Sequence, residues 1–369
     1  MHINQLNIKN FRNYKDLSIE FSPNINFIIG DNGVGKTNII EAISITSNLK
    51  SFRNITDSEI IKWGEDSYFC SSGVENNESN KFEVGCISLK DHIKKKVKID
   101  DIVIKKASDY YGKLLTVIFT PLDINIINGG PENRRKFFDS VISKIDKNYL
   151  LALNDFKKIL SSRNSLLKSL RDRRNRDFTE LEIWDNMFSE KSSVIVKKRM
   201  EFLEKFNVLF KNSYISIAAD DYPPEILYKP STESEDKEII LQNLQRRRDR
   251  DIIFGSTGLG PQRDDFFMCN DSSTGFTNYA SQGQRRTAAI SLKVAENKIV
   301  EEEVQKKSII IIDDIFSELD EKRRMNMIDI MKGGNQVIFT MVNSNQFEAD
   351  DFRDYKKFLV KPGGDVSEV

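Results

Sequence analysis

Residues 30–37 of this 369-residue chain have the composition and spacing of a loop that could bind phosphate groups. They fit the pattern G-x-x-x-x-G-K-T, in which the glycines let backbone N–H groups approach an anion closely. The lysine would contact the β- and γ-phosphates of a nucleotide, and the threonine hydroxyl would ligate Mg²⁺. The predicted residues of this phosphate loop are Gly30, Asp31, Asn32, Gly33, Val34, Gly35, Lys36 and Thr37.

A second group that could do chemistry is the carboxylate pair Asp313 and Asp314, which directly follows the apolar run 309–312. A strand that ends beside the phosphate loop would place Asp313 where it can hold Mg²⁺ through water. Asp314 would then act as general base and align the attacking water. The alternative, a buried strand that ends in a solvated acidic turn, does not account for the phosphate loop.

Residues 281–284 precede a strong helical pattern over 285–303 and could form a second anion site. Serine, glycine and backbone amides at a helix start bind anions. Because one phosphate loop needs only one such site, we expect the second to contact the γ-phosphate held by another subunit. The alternative is an ordinary serine cap. The predicted residues of this signature segment are Ser281, Gln282, Gly283 and Gln284.

The elements that position these groups are those of an α/β protein. The apolar run 26–29 predicts a strand before the phosphate loop, and helical spacing over 38–45 predicts a helix after it. The runs 308–312 and 336–341 predict strands of a parallel sheet. Alternation over 2–29 predicts two strands joined near Asn13-Tyr14, and Asp100-Asp101 predicts a hairpin turn between two later strands.

The middle of the chain has a different character. Residues 134–211 are nearly free of glycine and proline, and their apolar residues recur at three- and four-residue steps, which predicts amphipathic helices. The heptads are not sustained, so we expect a compact helical lobe rather than an extended coiled coil. A turn at Tyr222-Pro223-Pro224 and a further helix over 237–251 should follow.

Composition narrows the class of protein. Lys+Arg and Asp+Glu each number 56, so any contact with nucleic acid must come from local basic runs. The three cysteines, Cys70, Cys86 and Cys269, lack C-x-x-C spacing, which excludes an ordinary cysteine zinc site and favours a reducing compartment. Neither a signal peptide nor a membrane span is evident, so we expect a cytoplasmic protein without a membrane segment.

The order of these motifs resembles that of the ABC-type ATPase heads of SMC-like DNA-repair proteins, in which Walker A, signature motif, Walker B and D-loop follow one another. The match is closer to the RecF family and extends over essentially the whole chain. Gln262 stands where the family has histidine, Leu122 varies the family's Pro-Glu-Asp, and no Q-loop glutamine is evident. The segments that carry the match are 6–14, 30–37, 119–123, 130–139, 260–265 and 281–287, with the carboxylate pair.

This resemblance implies an α/β fold, namely an ABC-type (SMC-like) P-loop ATPase head with an inserted helical lobe. The head would comprise residues 1–128 and 253–369, and the lobe residues 129–252. It implies a slow ATPase with ATP and Mg²⁺ as cofactors, in which Lys36 and Asp314 are catalytic. It also adds Arg12 and Asn38 to the nucleotide-binding residues.

The resemblance further implies an ATP-dependent homodimer that clamps DNA near junctions of single and double strands, largely irrespective of sequence, and is released by hydrolysis. RecR and RecO would be partners in loading RecA onto gapped DNA, with roles in replication restart and SOS induction. Candidate DNA contacts are the basic runs at 94–96, 105–106, 134–136, 171–176 and 246–250, although each run could instead be a solvated face.

Two other functions share parts of this pattern. The ATPase subunit of a membrane transporter has the same motif order, but the inserted lobe and the lack of a switch histidine after 337–339 argue against it. A structural SMC-type linker would need long coiled-coil arms, and residues 134–211 are too short and too irregular for that. Few aromatic residues interleave with the basic runs, so we expect contacts to the DNA backbone rather than base stacking.

Overall fold

The computed structural model describes residues 1–53, 55–76, 78–89, 92–172, 177–218, 222–270, 274–316, 319, 321–331, 333–342 and 354–369. These residues divide into two compact units. Unit 1 contains Met1–Asp123 and Glu296–Val369, and unit 2 contains Ile124–Ala295. The predicted lobe 129–252 lies within unit 2, which also includes residues 253–295.

The strands are numbered in chain order: β1 (His2–Phe11), β2 (Tyr14–Glu20), β3 (Ile25–Ile29), β4 (Ser67–Glu75), β5 (Ser79–Leu89), β6 (His92–Ile99), β7 (Ile102–Val103), β8 (Thr116–Phe119), β9 (Glu225–Lys229), β10 (Asp265–Cys269), β11 (Ile309–Asp313), β12 (Val337–Met341), β13 (Tyr355–Val360) and β14 (Val366–Glu368). The helices are α1 (Lys36–Asn48), α2 (Asp57–Ile60), α3 (Ile124–Asn128), α4 (Pro131–Ile145), α5 (Lys147–Arg171), α6 (Thr179–Ala218), α7 (Lys237–Arg246), α8 (Arg248–Phe254), α9 (Phe276–Tyr279), α10 (Gln282–Val304) and α11 (Glu321–Met331).

Unit 1 contains a largely parallel sheet, sheet B, with the strand order β14-β13-β3-β12-β11-β8. The strands from β13 to β8 run parallel, and β14 pairs with β13 in the antiparallel direction. Every residue of β11 and β12 is buried, as expected for strands covered on both faces. Because parallel strands end at one edge, the residues that follow β3, β11 and β12 come together there.

The second sheet of unit 1, sheet A, is antiparallel with the order β2-β1-β4-β5-β6-β7. The predicted hairpin near Asn13-Tyr14 is confirmed, since β1 pairs with β2 and the register brings Phe11 opposite Tyr14. The predicted turn between β6 and β7 is also confirmed. Its two residues, Asp100 and Asp101, have φ of 49° and 65°, and two positive φ values are what a type I′ hairpin turn requires.

Helix α1 contacts strands of both sheets, and this position explains its burial. The sequence predicts an amphipathic helix, but polar residues such as Glu41 and Thr46 are fully buried together with the apolar ones. Both have hydrogen-bond partners, as burial of such groups requires. Thr46, for example, shares a hydrogen bond of 2.6 Å with Ser72 of β4.

Unit 2 is mainly helical, and its longest helix, α6, has 40 residues and therefore a length of about 60 Å. The prediction of one helix over 237–251 is wrong, because the chain leaves helical geometry at Arg247 (φ −96°, ψ 1°) between α7 and α8. The sequence analysis also missed β9, which follows Pro224 and pairs with β10. Among the residues described above, no helix is both long and apolar enough to cross a membrane.

Two buried arginines join the helices of unit 2 through ion pairs. Arg163 of α5 donates from Nε to Asp185 of α6 at 2.8 Å and from Nη1 to Asp251 of α8 at 2.9 Å. Arg199 of α6 donates to Asp139 of α4 and to Asp264, each within 2.9 Å. A charged group loses its hydration when it is buried, which costs free energy. Each arginine here is compensated by the aspartates with which it pairs.

We expect Arg163→Ala to lower the free energy of unfolding by about 3–5 kcal/mol, because buried Asp251 would lose its arginine and buried Asp185 would keep only Arg248, at 3.2 Å. Trp184 of α6 is next to Asp185, so urea denaturation followed by its fluorescence reports this region. The matched control is Lys191→Ala, whose side-chain pair with Asp155 is 30% and 49% exposed and should contribute at most about 1 kcal/mol. An equal decrease in stability in the two variants would contradict a structural role for the buried network.

Candidate functional site

The phosphate loop joins β3 to α1, and its shape depends on a glycine immediately before the helix. Gly35 has φ of 116°, a left-handed conformation that side chains disfavour. A Cβ atom at this position would lie 2.5 Å from the side-chain amide nitrogen (Nδ2) of Asn13. The loop therefore packs so closely against the β1–β2 turn that only glycine fits at position 35. Backbone N–H groups at the start of a helix, as at the start of α1, are suited to bind an anion.

Lys36 is held over the loop that precedes it. Its Nζ donates hydrogen bonds of 2.7 Å to the carbonyl oxygens of Gly30 and Asp31. Burial lowers the pKa of Lys36, while the neighbouring carboxylates, Asp314 first among them, oppose this shift. An ammonium group has three N–H donors, so one remains to contact a phosphate oxygen.

The carboxylate of Asp313 lies between two hydroxyl groups at the edge of sheet B. Thr37 and Thr340 both donate to its Oδ1, at 2.9 Å and 2.7 Å. Burial raises the pKa of Asp313, and the hydrogen bonds from the two threonines oppose this shift. The oxygen atoms of a threonine hydroxyl and an adjacent carboxylate are hard ligands of the kind that Mg²⁺ prefers.

Asp314 turns the chain directly after β11. Its φ of 51° is uncommon for a residue other than glycine, although aspartate tolerates it better than most. The Asp314 N–H donates to the carbonyl of Thr340 at 3.2 Å, which holds this turn against β12. Asp314 lies near enough to Lys36 to influence the pKa of that lysine.

Three residues that the sequence analysis did not assign to the site support it. Asn13 donates to the carbonyl of Val34 at 3.1 Å and accepts from the side chain of Asn38 at 2.8 Å. The hydroxyl of Tyr14 donates to the carbonyl of Gly35 at 3.0 Å. Thr340 is the third; the predicted strand 336–341 located it near a strand end but gave no indication of its partner.

Arg12, predicted to bind nucleotide, is bonded to other residues of unit 1. Its Nε and Nη2 donate to the two oxygens of Glu41 at 2.9 Å and 3.0 Å, and its Nη1 donates to the carbonyl of Glu59 at 2.8 Å. Glu41 is fully buried on α1, so the arginine neutralises a charge inside the core. In the structure, Arg12 therefore has a structural role, since it pairs with Glu41 of α1. Its contact with a nucleotide stays a prediction.

The signature segment belongs to unit 2 and begins α10. The Ser281 hydroxyl accepts from the Gln284 N–H at 3.2 Å, and the Gln284 side chain accepts from the Ser281 N–H at 2.9 Å. This reciprocal pair is a capping box, the alternative considered for this segment. The cap uses one lone pair of the hydroxyl, so its proton remains available to a further acceptor. Gln282 and Gly283 occupy the first turn.

Some predicted residues lie outside the part of the chain that the structure describes. They are three arginines of the basic run at 171–176, namely Arg173, Arg174 and Arg176.

Comparison with known proteins identifies the family. A family model described as the RecF/RecN/SMC N-terminal domain matches residues 2–357. The DNA replication and repair protein RecF of Leptospira interrogans (serovar copenhageni) is 38% identical over 367 residues, which cover 98% of each chain. RecF of Bacillus cytotoxicus is 34% identical over 375 residues, again with 98% of each chain covered.

Solved structures show the same relationship. A structure of the recombination mediator protein RecF with ATP, from the RecFOR pathway, matches with a TM-score of 0.90 and 33% identity, covering 100% of this chain and 97% of that one. An SMC head bound to the C-terminal winged-helix domain of ScpA matches with a TM-score of 0.54 and 14% identity over 100% and 98% of the chains, so it shows the fold alone. The predicted fold, an ABC-type (SMC-like) ATPase head, is confirmed.

The raised pKa of Asp313 predicts how stability depends on pH. The pKa of this carboxyl group is higher in the folded chain than in the unfolded chain. Folding therefore becomes less favourable as pH rises from the unfolded pKa to the folded pKa. We therefore expect Asp313→Asn, which keeps an oxygen to accept from both threonines, to be more stable than the native chain at pH 7 without nucleotide.

This gain should disappear below the ordinary aspartate pKa of 3.8, where both folded and unfolded carboxyl groups are protonated. Urea denaturation at several pH values measures it. The control is Asp16→Asn, whose side chain is 71% exposed and should change little. A lower stability of Asp313→Asn at pH 7 would show that its hydrogen bonds outweigh the cost of burial.

Proposed function

This chain belongs to the RecF family of SMC-like ATPases, and from that premise we propose that it is an ATP-dependent DNA clamp of recombinational gap repair. The observation that carries the proposal is the hydrogen bond between Thr37 and Asp313, which are 276 positions apart. It brings the phosphate loop and the carboxylate pair into one site. A solved relative with 33% identity over nearly its whole length contains ATP.

The site residues divide the work of ATP hydrolysis. The phosphate loop and Lys36 bind the phosphates, and Thr37 with Asp313 would hold Mg²⁺, which neutralises charge on the transferred phosphoryl group. Asp314 aligns the attacking water and accepts its proton. Its charge acts on Lys36, which supports a position close to the phosphates.

The signature segment would complete the site from a second copy of the chain. Each chain has one phosphate loop and one such segment, so a homodimer forms two ATP sites, each with residues from both subunits. Ser281 supports this arrangement because it is exposed and its hydroxyl proton is not used by the cap. ATP then joins the subunits, and hydrolysis separates them.

The basic runs differ in how many of their side chains already have partners within the chain. Arg134 donates two hydrogen bonds to Asp265 and one to the carbonyl of Gly129, so its charge is already paired with a carboxylate. Arg135 donates to the backbone carbonyl of Asp264, which fixes one side of its guanidinium. In the run at 246–250, Arg248 pairs with Glu182 and Asp185. The number of basic residues in a run therefore overstates the positive charge that is available to bind DNA phosphates.

Strand β6 has lysines on its open face. Lys94 and Lys96 are exposed and lie opposite Ile87 and Gly85 of β5. Lys95 points to the other face, where it binds Asp57 at 2.8 Å. Among the described residues, Lys94 and Lys96 have no carboxylate partner. We assign DNA phosphates to this lysine ladder, Lys94 and Lys96; a regular row of charges on a sheet fits a sequence-independent backbone contact.

The place of the clamp in the cell follows from its relatives. Curated relatives are named DNA replication and repair proteins, and solved relatives are described as mediators of the RecFOR pathway. We assign this chain the same role in the cytoplasm, with RecR and RecO as partners, loading of RecA onto gapped DNA as the outcome, and support of replication restart and SOS induction as consequences.

Binding to gapped duplex DNA with and without ATP tests the function. We expect ATP to tighten DNA binding, and DNA to stabilise the ATP dimer by the same factor, because the coupling is reciprocal. Lys36→Ala should abolish the ATP effect. Equal DNA affinity with and without ATP would contradict the clamp.

The salt dependence of the same assay tests the lysine ladder. Replacing Lys94 and Lys96 by glutamine should reduce the slope of log K against log salt by about 0.9 for each DNA phosphate that is no longer neutralised. Arg135→Gln is the control, since its guanidinium donates within unit 2. An unchanged slope in the lysine variant would show that Lys94 and Lys96 do not contact DNA phosphates.

Sedimentation with ATP and Mg²⁺ tests the shared site. Asp314→Asn should bind ATP and accumulate as a dimer, because hydrolysis no longer separates the subunits. Ser281→Arg should bind ATP as a monomer and fail to dimerise, because a long charged side chain then stands at the subunit contact. A normal dimer of Ser281→Arg, or wild-type turnover in Asp314→Asn, would require these roles to be reassigned.

A further inference from the structure

Cationic side chains from two separate helices meet at the end of α8 in unit 2. Gly255 directly follows α8, and a Cβ atom there would lie 2.9 Å from Cγ of Lys168 and 3.4 Å from Nη1 of Arg171, both in the last turn of α5. A Cβ atom at Gly258 would lie 3.4 Å from Nη2 of Arg247, which precedes α8. Two basic runs that are far apart in the sequence therefore approach one short loop.

Two adjacent apolar side chains of α8 lie beside these cations. Ile253 and Phe254 have 66% and 65% of their surface accessible. The preceding residue, Ile252, is fully buried among leucines of α5 and α6, so one side of α8 is anchored and the other exposes large apolar groups. The guanidinium of Arg250 lies 5.8 Å from the centre of the Phe254 ring, which is a cation–π distance.

The positive charge at this surface is largely unpaired. Among the residues that the structure describes, no carboxylate forms an ion pair with three of the cations, namely Lys168, Arg247 and Arg250. Arg171 pairs with Asp172 at 3.3 Å, but the two side chains are 49% and 74% exposed, so water screens this pair. Asp249 is the exposed acidic residue of α8. Cations therefore outnumber anions around the exposed apolar side chains.

This combination of groups is better suited to a protein partner than to a nucleic acid. Aromatic residues and arginine are enriched in protein interfaces, and a guanidinium group matches a carboxylate bidentately. A nucleic acid would use the cations, and its bases could stack on Phe254, but an aliphatic side chain such as Ile253 offers a base no stacking surface. Burial of both apolar side chains requires apolar groups on the partner.

We propose that this surface binds an acidic protein segment that carries apolar side chains. The surface, called the α8 patch, consists of Ile253, Phe254, Lys168, Arg171, Arg247 and Arg250. The apolar side chains of the segment pack on Ile253 and Phe254, and its carboxylates pair with the cations. The inference goes beyond the proposed function, because the phosphate loop and the lysine ladder belong to unit 1 and the α8 patch belongs to unit 2.

Fluorescence anisotropy with labelled peptides tests the chemistry of the partner. The probe is a short peptide in which aspartate alternates with leucine and phenylalanine, and the native chain should bind it. A peptide with serine in place of the apolar residues, or with lysine in place of aspartate, should bind at least about tenfold more weakly. No binding of the probe, or equal binding of the serine peptide, would overturn the proposal.

Variants of the patch locate the binding site. Ile253→Ser combined with Phe254→Ser should raise the Kd for the probe at least about tenfold, because the apolar contact is lost. Arg247→Gln combined with Arg250→Gln should raise the Kd at low salt and reduce the dependence of binding on salt. All four side chains are exposed, so neither double variant should alter thermal unfolding.

The matched controls lie on α6, outside the patch. Val208→Ser removes an apolar side chain that is 59% exposed, and Lys197→Gln removes an exposed charge. Both should bind the probe with the native Kd. Native affinity in either double variant of the patch, or an equal loss of affinity in the controls, would overturn the assignment of the α8 patch.

A single-stranded thymidine oligonucleotide tests the other class of partner. Its Kd should be the same for the native chain and for the variant with serine at positions 253 and 254, because we expect DNA to contact the lysine ladder. A Kd that rises about tenfold in this variant would show that the patch binds nucleic acid, and the proposal would be wrong. ATP binding should be native in every patch variant, so these outcomes leave the nucleotide site untouched.

Discussion

The carboxylate of Asp313 is the group on which the candidate site depends. It accepts hydrogen bonds from Thr37 at the start of α1 and from Thr340 at the end of β12, so one buried charge joins the helix to two parallel strands. Burial makes this charge unfavourable, and the two hydroxyl groups compensate only in part, which is why its pKa stays raised. A carboxylate that is costly to bury as an anion is suited to a divalent cation, whose charge would offset that cost.

The antiparallel sheet does more than cover the parallel one. Its β1–β2 turn contributes Asn13 and Tyr14 to the phosphate loop, and Arg12 neutralises the buried Glu41 of α1. The proposed phosphate loop therefore packs against the β1–β2 turn of sheet A.

Charge has two separate uses in this chain. In unit 2, Arg163 and Arg199 are almost completely buried and join helices through carboxylates. On the open face of β6, Lys94 and Lys96 remain free among the described residues. The zero net charge conceals this division, and only the partners of each basic residue show whether it stabilises the fold or is available to a nucleic acid.

The sequence by itself determined the local parts of the structure. The phosphate loop, the helix after it, the strand before Asp313 and the turn at Asp100-Asp101 were all predictable, because glycine conformations and hydrophobic periods act over a few residues. The family was equally accessible, since the motifs keep their order along the chain.

The tertiary structure decided which side chains meet. Thr340 and Asn13 carry no motif, and their contacts with the site form only when segments far apart in the chain come together. Arg134 is a candidate DNA contact in the sequence, but in the fold it lies beside its partner Asp265, 131 positions away. A local sequence pattern shows the period of a helix or strand but does not show which other segment packs against it. Burial and ion pairing depend on those contacts, and they form only when the whole chain folds.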